Sequence, residues 1–400
     1  MTPPPPLPAL SASRRAALRA GGALCLIGFA RGASAASCPA DGSAWPAWVA
    51  FRQQFISDDG RVIDKSSPRG QTVSEAQAYA LFFALVADDR PTFARLLQWT
   101  ENNLAGGDLT ARLPAWQWGK RDDGQWGVVD ANSATDADLW LIQALGEAGR
   151  LWNQPRYTSL AALLARRLWR EAAVDMPGLG LTLLPGVRGF QTGDERWRLN
   201  PSYYPMQQLR WLATTYPADP QWQQLRASGL KVLLAPRSGL APDWIVYDAK
   251  QGFQPDEPKD GRNAEGAHDA IRVYLWAGLM NPADPARAQL LARYVPMARL
   301  VDRLGFPPES LDTNTGAPHK DGAAGPPGFS AALLPFLRAR GDKAAFDAQT
   351  ARLTAKPMAA DAYYDNVLNL FAQGFLESRY RFTVDGRVEP DWAAECARAR

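Results

Sequence analysis

Helix-length segments of two kinds alternate along this 400-residue chain, and that alternation limits what it can fold into. One kind is rich in charge and long side chains: Ala44–Ile56, Pro91–Leu104, Pro155–Ala173, Gln221–Leu234, Pro285–Leu304 and Lys343–Thr354. The other is poorer in charge: Ser74–Val86, Ser133–Ala148, Pro201–Thr214, His268–Met280, Gly328–Ala339 and Asp361–Phe375. They interleave strictly, and a thirteenth segment, around Pro390–Ala399, is a short tail. A helix with one polar face lies at a surface, whereas one apolar on most sides is buried. Two concentric rings, six inner and six outer helices, satisfy both sets at once. A two-layer helical solenoid competes, but its repeats would be shorter and more alike than these segments, which recur roughly every 60 residues.

No linker-like stretch divides the middle, so we read residues 36–400 as one domain. Residues 1–35 read as an export signal: Ser13-Arg14-Arg15-Ala16-Ala17-Leu18, an apolar run Ala20–Ala30, and the small-residue cleavage pattern Ala33-Ser34-Ala35. The paired arginines favour the twin-arginine route, although Ala17 stands where that signal usually carries an aromatic. The apolar run is too short to span a bilayer. We therefore expect no membrane insertion after signal removal, and a periplasmic or secreted protein.

The basicity of the whole chain belongs to that leader. The formal charge is +3, and the leader carries four arginines and no acid, so the remainder is close to −1. Nothing suggests nucleic acid or an anionic membrane as partner. Cys25 leaves with the leader, while Cys38 and Cys396 remain at opposite ends. In an oxidising compartment two cysteines favour a disulfide, which on the chain-entropy picture stabilises by about 4–5 kcal/mol.

Five of the segments open on small polar or acidic clusters: Ser74-Glu75-Ala76-Gln77, Thr135-Asp136-Ala137-Asp138, Asn200-Pro201-Ser202-Tyr203, His268-Asp269-Ala270 and Asp361-Ala362-Tyr363-Tyr364. These starts place acids and aromatics on one rim of a helical barrel. The long connections 106–132, 176–199 and 238–267 precede inner segments and fall on the same rim, where ordered loops usually carry function. They hold short alternating runs such as Trp244-Ile245-Val246-Tyr247, read as strands.

Several chemistries drop out. The two histidines, His268 and His319, have no partner at zinc-ligand spacing, and there is neither a nucleophile elbow nor a phosphate loop. We expect no metal and no cofactor, which leaves carboxylates. Glu75 opens an apolar helix, where an acid also serves simply to cap. The helix dipole lowers a carboxyl pKa, so to donate a proton near neutral pH Glu75 needs burial or a neighbouring carboxylate to outweigh it. Asp136 and Asp138, two apart on a helix, point in different directions, so one faces the axis while the other caps or pairs. Asp269 has Arg272 one turn on, the spacing of an ordinary ion pair. Paired carboxylates on an aromatic-lined groove describe glycoside hydrolysis. Trp116-Gln117-Trp118 offers a stacking platform; side chains along an extended segment alternate in direction, and we expect one of the two tryptophans to stack. Most of the 15 tryptophans belong to the core.

The strings Ser74-Glu75-Ala76-Gln77-Ala78-Tyr79, Leu113-Pro114-Ala115-Trp116-Gln117-Trp118-Gly119-Lys120, Asn132-Ser133-Ala134-Thr135-Asp136-Ala137-Asp138, Asn200-Pro201-Ser202-Tyr203 and Asp269-Ala270-Ile271-Arg272 with Tyr274-Leu275-Trp276 resemble glycoside hydrolase family 8, in order, from Trp45 to Cys396. The resemblance implies an all-α (α/α)6 barrel with a few short strands in rim loops, and an inverting endo-β-1,4-glucanase. By motif match Glu75 is the proton donor, Asp269 the base, and Asp136 the residue that holds the central sugar distorted. Trp116, Trp118, Tyr203, Arg272, Asn132 and Ser133 are implied to line the glucan cleft. The implied partners are a cellulose (β-1,4-glucan) chain and the cellulose synthase complex of bacterial cellulose biosynthesis. Ala76 departs from the family, which has Gly after the acid. Competing readings are a same-fold hydrolase of chitosan, xylan or mixed-linkage glucan, a non-catalytic glucan-binding chaperone, and a helical-barrel lyase, for which two histidines are thin.

Overall fold

The computed structural model describes Gly42 and residues 44–67, 70–256, 264–319 and 322–398. The leader 1–35 lies outside the described residues. So does the expected Cys38–Cys396 bond, since neither the residue Cys38 nor the side chain of Cys396 is described.

Outer and inner helices alternate as the sequence pattern predicts. The outer set is α1 (Pro46–Phe55), α3 (Arg90–Leu104), α5 (Pro155–Ala172), α7 (Gln221–Leu234), α9 (Pro285–Arg293) with α10 (Val295–Leu304), and α12 (Lys343–Ala355). The inner set is α2 (Ser74–Val86), α4 (Thr135–Leu151), α6 (Met206–Thr215), α8 (Ala270–Leu279), α11 (Pro327–Arg340) and α13 (Tyr363–Leu376), and α14 (Asp391–Arg398) is the tail. Each inner helix packs on its ring neighbours and on an outer partner, α4 on α2, α6 and α5, and α11 on α8, α13 and α12. The two kinds differ as their composition requires: α8 is buried along its whole length, whereas α5 buries one stripe, Leu160, Ala161, Leu164, Ala165, Leu168 and Ala172.

Aromatic rings fill the barrel axis and close the ring. Phe371 on α13 meets Phe83 and Phe82 of α2 at 4.5 and 5.6 Å, Trp140 of α4 at 4.8 Å and Trp276 of α8 at 5.0 Å. The axis is therefore a packed core, and any site must lie at one end of it. Where helices approach most closely the sequence supplies glycine: a Cβ on Gly278 would lie 2.4 Å from the Phe336 nitrogen.

Two expected helices are broken, both at proline. The segment expected as Pro201–Thr214 is a 3-10 turn, Pro201–Tyr203, and then α6 begins at Met206. Pro205 lacks an N–H and drives the preceding Tyr204 out of helical conformation, to φ −118° and ψ 60°. The segment expected as Pro285–Leu304 breaks at Tyr294, because Pro296 cannot donate to the turn before it. The freed Tyr294 ring packs edge-on to Tyr274, and its hydroxyl donates to the Leu233 carbonyl at 2.5 Å.

Short antiparallel strands decorate the rim. One sheet joins Thr72–Val73, Gln117–Lys120 and Trp126–Asp130; another runs through Gln191–Gly193, Arg196–Leu199, Ile245–Asp248 and Gly252–Pro255. At the other end, the hairpin Tyr380–Phe382 with Val388–Pro390 closes the base. Gln143 on α4 donates to the Gly386 carbonyl at 2.9 Å, and Asn281 donates to the Phe382 carbonyl at 2.8 Å. Gly386 sits at φ 79°, and a Cβ there would lie 2.1 Å from the Gln207 carbonyl oxygen, so only glycine fits.

Candidate active site

The starts of α2, α4 and α8 and the turn before α6 bring their polar residues together above the aromatic axis. Arg272 is the hub. It is 8% exposed, and its Nη2 lies 2.9 Å from Asp269 Oδ1, 3.5 Å from Asp136 Oδ2 and 2.9 Å from Ser202 Oγ. Its Nη1 donates to the Tyr364 hydroxyl at 3.3 Å, which donates onward to the His268 carbonyl at 2.6 Å. One guanidinium thus holds two carboxylates from different helices in a fixed relation. The expected ion pair of Asp269 with Arg272 exists, but it is one spoke of a network.

Asp269 is further held by Asn200, whose Nδ2 donates to Oδ2 at 3.0 Å. Asn200 in turn accepts from the Ser202 amide and hydroxyl at 3.0 and 2.8 Å, so its orientation is set by the 3-10 turn. The Asp269 side chain stays 27% exposed, open to the rim.

Glu75 accepts from the Trp116 indole N–H at 3.2 Å and the Ser74 hydroxyl at 3.2 Å. Burial pushes its carboxyl up, against the pull of its own helix-start amide, Arg272, Ser74 and Trp116. Burial thus outweighs the helix-start pull that lowers it. Asp136 is raised well above the carboxylate range by burial first and by the Glu75 charge second. Its Oδ1 accepts from the Ala137 amide at 2.8 Å, and Oδ2 makes no hydrogen bond among the described residues. Asp138 is also buried, with neither oxygen hydrogen-bonded among the described residues, and burial raises it well above the usual range. Asp136 is the member that faces and pairs with Arg272, and the capping or pairing expected of the other member is not made by Asp138 among the described residues.

The remaining expected residues divide. Trp116 stands at the acid. Tyr203 feels the charges of Asp136, Glu75 and Asp269 together, and its ring lies 6.4 Å from Trp244. Trp118 instead stacks on Trp126 at 5.2 Å, sits edge-on to Trp99 at 5.4 Å and carries the Arg61 guanidinium at 4.4 Å. A register shift between Gln117 and Trp118 re-aims the strand at this point. Asn132 is engaged on both arms, donating to the Arg188 carbonyl at 2.9 Å and accepting from its amide at 3.1 Å, so it ties two rim loops together. The Ser133 hydroxyl is buried without a hydrogen bond among the described residues. Its carbonyl oxygen would lie 2.4 Å from a Cβ on Gly186.

Asn200, Ser202, Tyr364 and Asp243 were not singled out as site residues by sequence. The first three lie in the clusters that open inner segments, so position could have found them. Asp243 sits inside the loop 238–267 and carries no helical pattern.

The chain matches the family described as glycosyl hydrolases family 8 over residues 26–378. An endoglucanase of Salmonella typhi is 48% identical over 358 residues, covering 89% of this chain and 93% of that protein. The crystal structure of an endo-1,4-D-glucanase from Vibrio fischeri ES114 superposes with a TM-score of 0.79 at 43% identity, covering 87% of this chain and 99% of that one. An endo-β-1,4-glucanase from Acetobacter xylinum does so with a TM-score of 0.65 at 27% identity, covering 84% and 98%.

Proposed function

The chain belongs to glycosyl hydrolase family 8, and from that premise we propose how its rim divides the work of an inverting endo-β-1,4-glucanase. Glu75, whose carboxyl burial pushes up, gives its proton to the glycosidic oxygen as the bond from that oxygen to the anomeric carbon breaks. A water on the opposite face of the ring attacks the anomeric carbon, and Asp269 takes the proton that water loses. One water is consumed, and the new hydroxyl has inverted configuration. Asp136, deeper and held near Arg272, grips the central sugar in a distorted shape. Trp116 and Tyr203 supply flat surfaces for neighbouring pyranoses. The observation that carries this reading is the single guanidinium of Arg272 holding Asp136 and Asp269 beside an acid whose pKa burial has raised.

The substrate is a β-1,4-glucan chain. We further propose an export leader at 1–35, one catalytic domain at 36–400, a periplasmic setting and a role beside a cellulose synthase complex. Among the described residues no helix is long and apolar enough to cross a membrane.

Proton NMR of fresh product from a soluble β-1,4-glucan tests the scheme. The α-anomer should appear first and mutarotate later. An initial β-anomer, or no hydrolysis by folded protein, overturns it.

A further inference from the structure

One rim carboxylate has no task in the hydrolysis just described. Asp243 lies 26 residues before Asp269, and its Oδ1 accepts three backbone N–H groups, from Ala267 at 2.9 Å, Asp269 at 3.1 Å and Ala270 at 2.7 Å. Its own amide donates to the Glu265 carbonyl at 2.7 Å, pinning the loop. Backbone amides at a helix start have no intrahelical partner and are normally satisfied by the N-cap side chain. Asp269 occupies the N-cap position of α8, and aspartate is among the strongest N-caps, yet its side chain makes no cap bond. Its carboxylate goes to Asn200 and Arg272 instead. Asp243 has taken over the capping from another loop.

We infer that Asp243 is a positioning residue: by capping α8 in place of Asp269 it keeps the Asp269 carboxylate out of its own helix start and turned toward the cleft. The inference rests on Asp269 being the base. Without Asp243, the Ala270 amide would be left for the Asp269 side chain, drawing it back by one rotamer and away from the attacking water, as Asp136 bonds the amide of the following Ala137. Charge adds a second effect. Burial, then the Asp269 charge, pushes the Asp243 carboxyl up to about 7, against the Ala270 and Ala267 amides and Arg272. Tyr274 and Tyr364 also feel its charge, and Asp136 and Tyr203 feel that of Asp269. A carboxyl raised this far should change charge beside the base as pH passes through about 7.

The test uses the full mature enzyme on a soluble β-1,4-glucan with three variants. Asp243→Ala should lower kcat by about 10²-fold, the scale of a misplaced general base, with KM nearly unchanged; Tm should fall too, because Asp269 can take over only the Ala270 amide and those of Ala267 and Asp269 lose their acceptor. Asp243→Asn keeps a cap oxygen and should restore most of kcat, while losing the step in kcat/KM near pH 7 that the wild type should show. A purely structural residue would move Tm in both variants and leave the shape of the pH profile alone. Asp243→Ala with wild-type kcat overturns the inference. Should that variant not fold, Asp243→Asn decides: an unchanged step near pH 7 overturns the inference and its loss supports it. Asp269→Asn separates the two readings. If it stays active, the base assignment fails whatever Asp243 does; if it is inactive while Asp243→Ala is normal, only the positioning role fails.

Discussion

Asp136 and Glu147 are two acids on the same helix, three turns apart, and both are 1% exposed. Glu147, near the base of the barrel, is saturated. Trp211 Nε1 donates to Oε1 at 2.7 Å, the Val388 amide to Oε2 at 2.8 Å, and Arg150 Nε lies within 3.3 Å of both oxygens. Asp136, at the rim, has one amide on Oδ1 and only Arg272 at 3.5 Å facing Oδ2. Burial is therefore uncompensated at the rim and compensated at the base, and the Asp136 carboxyl is pushed well up. Equal burial gives one acid a structural task and leaves the other with unused hydrogen-bonding capacity, which a sugar hydroxyl can take up.

Substitutions at the two ends should separate activity from stability. The largest effect belongs to Glu75→Gln, which removes the transferable proton. Turnover of soluble β-1,4-glucan should fall about 10²–10⁴-fold, the usual share of a general acid, with oligosaccharide binding retained by calorimetry. Turnover near wild type would break the assignment. Asp136→Asn comes next, with turnover lower by about 10²-fold, the scale of lost transition-state contacts. Its effect on stability has the opposite sign. A carboxyl whose folded pKa is raised contributes stability fully present below its unfolded value of about 4 and lost as pH rises through the folded value. Thermal melts of Asp136→Asn should thus decline less than the wild type above about pH 4, and an equal decline would remove Asp136 as a source of that loss.

Glu147→Ala should reverse the pattern. Leaving the Trp211 and Val388 donors unpaired costs about 2–3 kcal/mol in urea unfolding, while kcat per folded molecule stays at the wild-type value. A loss of kcat without loss of stability would contradict the division between the two ends. The smallest change is Trp116→Phe, which keeps a flat ring but removes the N–H on Glu75. Since that bond favours the ionised acid, the alkaline limb of the pH profile should move upward. The change in kcat should stay within about 2–10-fold, the worth of one hydrogen bond. A downward shift would show that the indole acts otherwise.

The two rings were legible because helix burial writes itself into charge content, as α8 and α5 show side by side. The acids of the candidate site were legible because each opens an inner helix, where topology gathers them. Trp118 was harder, since a register shift in a four-residue strand decides which way it faces, and no local pattern announces it. The breaks at Tyr204 and Tyr294 were signalled by Pro205 and Pro296, yet apolar periodicity ran through both, while Pro335 inside α11 is accommodated. The task of Asn132 in tying two rim loops together, through the backbone of Arg188, left no local pattern either. Asp243 could not be read at all: capping a helix from a distant loop leaves no spacing to recognise.

The hairpin around Gly386 has a consequence for biogenesis. It lies late in the chain yet supplies the acceptor for Gln143, the donor for Glu147 and the floor beneath Gln207 and Trp211. A nascent polypeptide can stack most of its walls while these central groups still face solvent, and the vessel becomes watertight only when its last turn arrives. Proteolytic nicking within residues 383–387 should accordingly loosen α4 and α6, in the middle of the sequence, before it disturbs the neighbouring tail.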